Sequence, residues 1–135
     1  MARITEEIKA MVKGQPAFVA TASPDGTPSL APKGSVRILD EEHIIFSESS
    51  GKRTYENLKQ NPKAAIAMGD MSKMQCLRFS GPVELVTEGE IYDQMKERMA
   101  KMGVSAPHAV VKMKVEEIYD CGVPVSYTHL RAHET

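Results

Sequence analysis

The chain has no tryptophan, few aromatics of any kind (5%), only two cysteines and no surplus of either charge, its formal net charge being -1. Each shortage removes a class of function. Cys76 and Cys121 stand in no C-x-x-C arrangement, so neither the disulfide framework of a small secreted domain nor a thiolate zinc site is available. A near-neutral chain exerts no long-range pull on nucleic acid or an anionic membrane, and no Lys/Arg run supplies a local one. No apolar stretch approaches the ~20 residues that span a bilayer, and no basic-then-apolar leader opens the chain. The expectation is a cytoplasmic protein with reduced thiols that engages neither nucleic acid nor membrane.

What is present is ordinary for a globular domain: 135 residues, 41% apolar and 26% charged, enough for one core. The segment 124–135 breaks the pattern, with neither strand nor helix periodicity. Reverse-translated from Val125, it resembles a transposase sequencing adapter read in frame. It is therefore expected to be a non-native tail, leaving 1–123 as the domain. His129 and His133 in that tail have the i, i+4 spacing of helical metal ligands, but no third ligand or motif Glu accompanies them, and no metal site is expected.

Ile4, Ile8, Met11 and Val12 recur at helical spacing before Gly14 and Pro16. Ala17 to Ser23 is β-rich, and Pro24-Asp25-Gly26 is turn chemistry. A second strand is expected from about Pro28 to Leu39, and a third over His43 to Glu48. Thr54 to Leu58 reads as a helix that Asn61-Pro62 ends. Strands follow over Lys63 to Met68 and Met74 to Val86, with Gly81-Pro82 marking a bulge or barrel corner. Ile91, Met95, Met99 and Met102 mark one helical face, read as core packing rather than a cofactor stripe. Val111, Met113 and Val115 alternate with polar neighbours in a last strand. Six strands in mostly hairpin order argue a mainly β fold, an antiparallel barrel plugged by short helices.

Two segments carry possible chemistry. Ser47-Glu48-Ser49-Ser50-Gly51-Lys52-Arg53-Thr54 crowds hydroxyls, a glycine and two cations where a strand hands over to a helix, which suits an anion. It is not a Walker loop, because Phe46 stands where the first glycine is required and Arg53 where Ser or Thr must follow the lysine. The plain alternative is a solvated helix start. In Ser29 to Arg37, Pro32 and Gly34 interrupt an expected strand. A flat ligand lying along the backbone beside Lys33 accounts for that, as does an edge strand protected by Pro32 and Lys33. Arg37 and Arg78 read as exposed strand residues more readily than as phosphate or substrate ligands.

The succession FVATASPDGTPSLAPKGSVRIL, IIFSESSGKRTYENLKQNPKAAIAM and LRFSGPVELV resembles the pyridoxamine 5'-phosphate oxidase-like FMN-binding split β-barrels, over about Ile4 to Gly122. The resemblance implies a homodimer with FMN at its interface and oxidoreductase activity on a small molecule, with a reduced nicotinamide as one possible donor. It implies that Lys52, Arg53 and Thr54 hold the phosphate, with Ser49 and Ser50 on the preceding loop. Ala31, Pro32 and Lys33 would line the isoalloxazine ring, and Gln75, or Cys76 in its place, would make a polar contact. Lys33 is the candidate for stabilising negative charge on reduced flavin, and no general base is nominated because the cofactor carries the chemistry. The C-terminal Arg and His residues of true pyridoxamine-phosphate oxidases find no counterpart before the tail, which favours general flavin chemistry over vitamin B6 oxidation. A flavin, deazaflavin (F420) or haem carrier without turnover is the alternative.

Overall fold

The structure is a computed structural model that describes residues 2–49 and 52–122. The expectations placed on Ser50 and on the 124–135 tail lie outside those residues. Among the described residues, eight strands and three α-helices follow one another.

Helix α1 (Glu6–Val12) begins where the Thr5 hydroxyl accepts the Ile8 N–H at 3.2 Å, with Glu6 and Glu7 favourably placed at the positive end of the dipole. Strands β1 (Ala17–Ala22) and β2 (Pro28–Pro32) form the first hairpin. In its turn Gly26 takes φ 91°. The Asp25 carboxylate accepts from the Ser23 hydroxyl and the Thr27 N–H, which hold its pKa down at about 2. The short β3 (Arg37–Ile38) pairs with β4 (His43–Glu48), and α2 (Arg53–Gln60) follows. Then come β5 (Lys63–Asp70), a single 3₁₀ turn (Met71–Lys73), β6 (Gln75–Val86), α3 (Glu90–Lys101), β7 (Ala109–Lys114) and β8 (Glu117–Asp120).

The spatial order is β2-β1-β5-β6-β7-β4-β3, with β8 also on β6, and every pairing is antiparallel. The fold class is the expected one, an antiparallel sheet curled into a split barrel. The long strand β6 makes the curl possible. Up to Pro82 it pairs with β5, and along Leu77–Ser80 with β8 on its other side; from Val83 to Val86 it pairs with β7. The corner expected at Gly81-Pro82 is this change of partner. A Cβ on Gly81 would stand 1.9 Å from the Lys114 carbonyl oxygen, so only glycine lets the strands cross so closely.

Two differences from the sequence reading have clear causes. The strand expected over Pro28 to Leu39 breaks into β2 and β3, because Pro32 ends the ladder and the chain turns away over Lys33 to Val36. β2 is consequently an edge of the sheet, and the interruption at Pro32 follows the edge-strand alternative. The eighth strand, Glu117–Asp120, continues β7 along the same long partner after a break at Val115 and Glu116.

The inward faces meet in one core, in which Ile4, Val19, Phe46, Ile66, Phe79, Val111 and Met113 are fully buried. Each such large side chain contributes roughly 1.5–3 kcal/mol of transfer free energy. A smaller cluster on the other side of β4 joins Ile45 and Val110 to Met95 and Met99 of α3. The methionine face is therefore core packing, except that Met102, just past the helix end, is 61% exposed.

Gly81→Ala is expected to lower stability by ~3 kcal/mol, through overpacking against backbone that cannot yield. Gly34→Ala, with no atom within 4 Å of its new methyl, is expected to change it by less than ~0.5 kcal/mol. Urea denaturation of the two variants checks both, and comparable losses would contradict the crossing at Gly81.

Candidate functional site

Strand β4 is buried on both faces, because the main core covers one side and α3 the other. Ile44, Phe46 and Glu48 share the barrel-facing parity, so the strand delivers a carboxylate, fully buried, to the barrel's end. Burying a lone carboxylate is costly, and this one meets the Lys33 ammonium at 2.7 Å. Lys33 arrives from the opposite edge: its N–H donates to the Ala17 carbonyl at 3.0 Å, just past the end of β2. Two residues on, the Ser35 hydroxyl accepts the Ser47 N–H at 2.9 Å and donates to the Ser47 carbonyl at 3.5 Å. The Lys33–Val36 segment thus laces the β2 edge to β4, across the split that the sheet leaves open.

Helix α2 begins a few residues beyond Glu48. Thr54, Asn57 and Leu58 form its buried face. Asn57 donates to the Thr21 hydroxyl at 3.0 Å, and Asn61 to the Ala22 carbonyl at 3.2 Å. These bonds fix the helix across β1 and leave its first turn at the end of β4. The N-cap position is Lys52, and no side chain among the described residues caps the turn. Lys52 and Arg53 are exposed, and Arg53 makes no ion pair among the described residues. The Ser49 Oγ is buried and finds no hydrogen-bond partner among them. A helix start without a side-chain cap, a guanidinium without an ion pair and a buried, unsatisfied hydroxyl, all among the described residues, together fit a phosphate-bearing group such as FMN.

The residues nominated from sequence fall into three places. Ser49, Lys52, Arg53 and Thr54 gather at the strand-to-helix turn, and Lys33 joins them through Glu48. Ala31 and Pro32 lie on β2, and successive strand residues face opposite ways; Pro32 is exposed and Ala31 half-buried. The two cannot both lay side chains on one flat ring, which would instead meet the strand's free edge. Gln75 is exposed at the start of β6, opposite Asp70, three strands from β2 and so roughly 14 Å away across the sheet. Within one protomer it is not brought to the others. Lys33, balanced at contact distance by Glu48, presents a dipole rather than a full positive charge to any neighbouring group.

Sequence reasoning passed over Glu48 as a site residue, although a charge closing an otherwise apolar strand was its signal. It also missed Ser35, and the pair formed by Tyr55 and His108, whose rings stack at 5.6 Å beside the β4 end. The His108 N–H donates to the Glu48 carbonyl at 2.8 Å, and the Lys59 ammonium lies 4.7 Å above the Tyr55 ring. A cleft of about 580 Å³ opens beside Lys33, with Lys13, Arg37 and Met68 in its wall. A second, of about 620 Å³, lies over Ala20, Ala22, Ala65 and Pro82. Neither cleft reaches Arg53 or Thr54.

A curled antiparallel sheet that changes partner along one long strand, with a cation-rich turn leading into a helix laid across its first hairpin, defines a split-barrel protein. The chain belongs to the pyridoxamine 5'-phosphate oxidase family, whose model matches residues 4–122. It is 30% identical over 122 residues to an uncharacterized protein of Methanocaldococcus jannaschii, covering 87% of this chain and 80% of that one. It is 36% identical over 93 residues to the pyridoxine/pyridoxamine 5'-phosphate oxidase of Gluconobacter oxydans, covering 65% of this chain but only 44% of the relative. The chain thus spans less than half the length of that enzyme. Among solved structures, HupZ of Group A Streptococcus superposes with a TM-score of 0.81 at 33% identity, over 91% of this chain and 99% of that one. At 20–21% identity, where likeness speaks for the fold alone, the architecture recurs in an FMN-binding protein of Syntrophomonas wolfei, an F420 reductase and HutZ, the haem storage protein of Vibrio cholerae.

Lys33→Met, which takes the ammonium away from the buried Glu48 carboxylate, is expected to cost ~3 kcal/mol. Adding Glu48→Leu is expected to recover most of that, because the buried charge is then removed as well. Denaturant titration of the two variants checks this, and a Lys33→Met protein as stable as the parent would show that the pair does not hold the closure.

Proposed function

We propose that the chain binds FMN and works as an oxidoreductase on a small molecule, in the form of a cytoplasmic homodimer. The observation that carries this reading is the start of α2 at the end of β4, where among the described residues Arg53 makes no ion pair and the buried Ser49 hydroxyl finds no hydrogen-bond partner. Lys52, Arg53 and Thr54 would hold the phosphate, with Ser49 and Ser50 completing the cradle. The ring would lie along the free edge of β2 at Ala31 and Pro32, beside Lys33. Bound FMN would supply hydride and single-electron chemistry. The protein would orient it, neutralise its phosphate, and keep the Lys33 ammonium fixed by Glu48 near the ring.

The homodimer reading is supported by the outer sheet face. Phe18 (43% exposed) and Leu30 (68%) lie there among Ala20, Ala65 and Ala67, a contiguous apolar patch facing solvent in one protomer. The separation of Gln75 and of the apolar cleft from the phosphate turn points the same way, since a second copy would bring Gln75 to the ring its partner holds.

A second reading, a flavin, deazaflavin or haem carrier without turnover, is favoured by one observation. His108 is exposed at the rim of the same strand end, where its imidazole would be the residue to hold a haem iron.

Arg53→Ala is expected to weaken FMN binding by ~1.5–3 kcal/mol, the worth of a charge-assisted hydrogen bond. Fluorescence titration of FMN checks it, and unchanged affinity would remove Arg53 from the site. Leu30→Glu is expected to give a monomer in light scattering where the parent is a dimer. A dimer that survives this change would move the interface elsewhere.

A further inference from the structure

We propose that Cys76 and Cys121 form a redox-active dithiol, at which a small exogenous disulfide installs an intramolecular link between β6 and β8. The reading does not depend on the cofactor. The pairing of β6 with β8 runs Ser80 to Glu117 through Leu77 to Asp120, so the next rung sets Cys76 directly opposite Cys121. That rung is made: the Cys121 N–H donates to the Cys76 carbonyl at 3.0 Å, and the Cys121 thiol to the same oxygen at 3.4 Å. Directly opposed, hydrogen-bonded residues of an antiparallel pair have Cα atoms about 5.5 Å apart, inside the roughly 4.4–6.8 Å range of disulfides. No backbone movement is needed to join them.

The surroundings hold this geometry in place. The Gly122 N–H donates to the Asp120 carboxylate at 3.0 Å, and a Cβ on Gly122 would come within 2.7 Å of the Met74 carbonyl. The chain on the far side of Cys121 is thereby pressed against the start of β6. Gly69, opposite Cys76 on β5, leaves no room for a side chain either, its Cβ position falling 2.6 Å from the Cys76 Cα. Both thiols are free, Cys121 exposed and Cys76 half-buried. Burial, and then the Cys121 thiol beside it, push the Cys76 thiol up to about 11.

The greater exposure of Cys121 sets the order of events. Cys121, deprotonated, attacks one sulfur of oxidised glutathione or a similar disulfide, expelling one thiolate and leaving a mixed disulfide on Cys121. Cys76 then loses its proton and attacks the Cys121 sulfur, expelling the second thiolate. Two protein thiols are oxidised, one small disulfide is reduced, and the two protons leaving the protein thiols end on the two expelled thiolates, giving two small thiols with no net proton release. The product pins the end of β8 to the first residues of β6, next to Gln75.

The test treats the full chain with oxidised glutathione, blocks remaining thiols, and follows intact mass and peptide maps. The expected product is a monomer about 2 Da lighter, with the Cys76 and Cys121 peptides joined and the change reversed by dithiothreitol. Cys76→Ser is expected to stop at a stable glutathione adduct on Cys121. Cys121→Ser is expected to acquire an adduct on Cys76 roughly tenfold more slowly or worse. A parent protein that accumulates glutathione adducts without the internal link, or links two copies, would overturn the proposal. Equal adduct rates in the two variants would overturn the order of attack.

Discussion

The contact between the Lys33 ammonium and the Glu48 carboxylate, 2.7 Å apart with the carboxylate fully buried, joins the two parts of the chain on which the candidate site depends. The sheet does not close by backbone pairing, because β2 and β3 are its two edges. The segment between them crosses the opening, and it is held by this ion pair, by Ser35 on Ser47, and by the Lys33 N–H on Ala17. A buried ion pair adds little net stability relative to apolar residues of the same shape, yet removing one partner is expensive. The closure is thus specified more than it is strengthened. Its position also matters, since the turn into α2 begins one residue after Glu48.

From that constraint the rest of the site follows. β4 is buried on both faces, so its end cannot drift, and α2 is locked to β1 through Asn57 and Asn61. Between these fixed points lie Ser49, Lys52 and Arg53, the last two facing solvent. Electrostatic groups held on rigid elements lose little freedom when an anion arrives, and a helix start favours negative charge. The outer face of β1, β2 and β5 is by contrast made of alanines with Phe18 and Leu30, a surface shaped for contact rather than chemistry.

Much of this could be read from the residues, for local reasons. Alternation in Val111 to Val115, turn chemistry at Pro24-Asp25-Gly26, and the helical spacing of Met95 and Met99 are each decided within a few residues of chain, and each appears as expected. The crowding of cations at 52–53 was equally visible. Glu48 was not, because its meaning comes from Lys33, brought to it only by the curl of the sheet. Tyr55 and His108 meet across an even longer separation. The strand expected to run on to Leu39 breaks after Pro32, and of the two readings left open there the edge strand is the one that the sheet order follows. The opposed cysteines were passed over for the same reason: register, not spacing, makes them neighbours.

The absorbance spectrum of the purified protein, recorded before and after anaerobic reduction, tests the central claim most directly. Bands of oxidised flavin that bleach on reduction are the predicted result. A colourless protein that also fails to take up added FMN would contradict it, and so would the intense single band of bound haem.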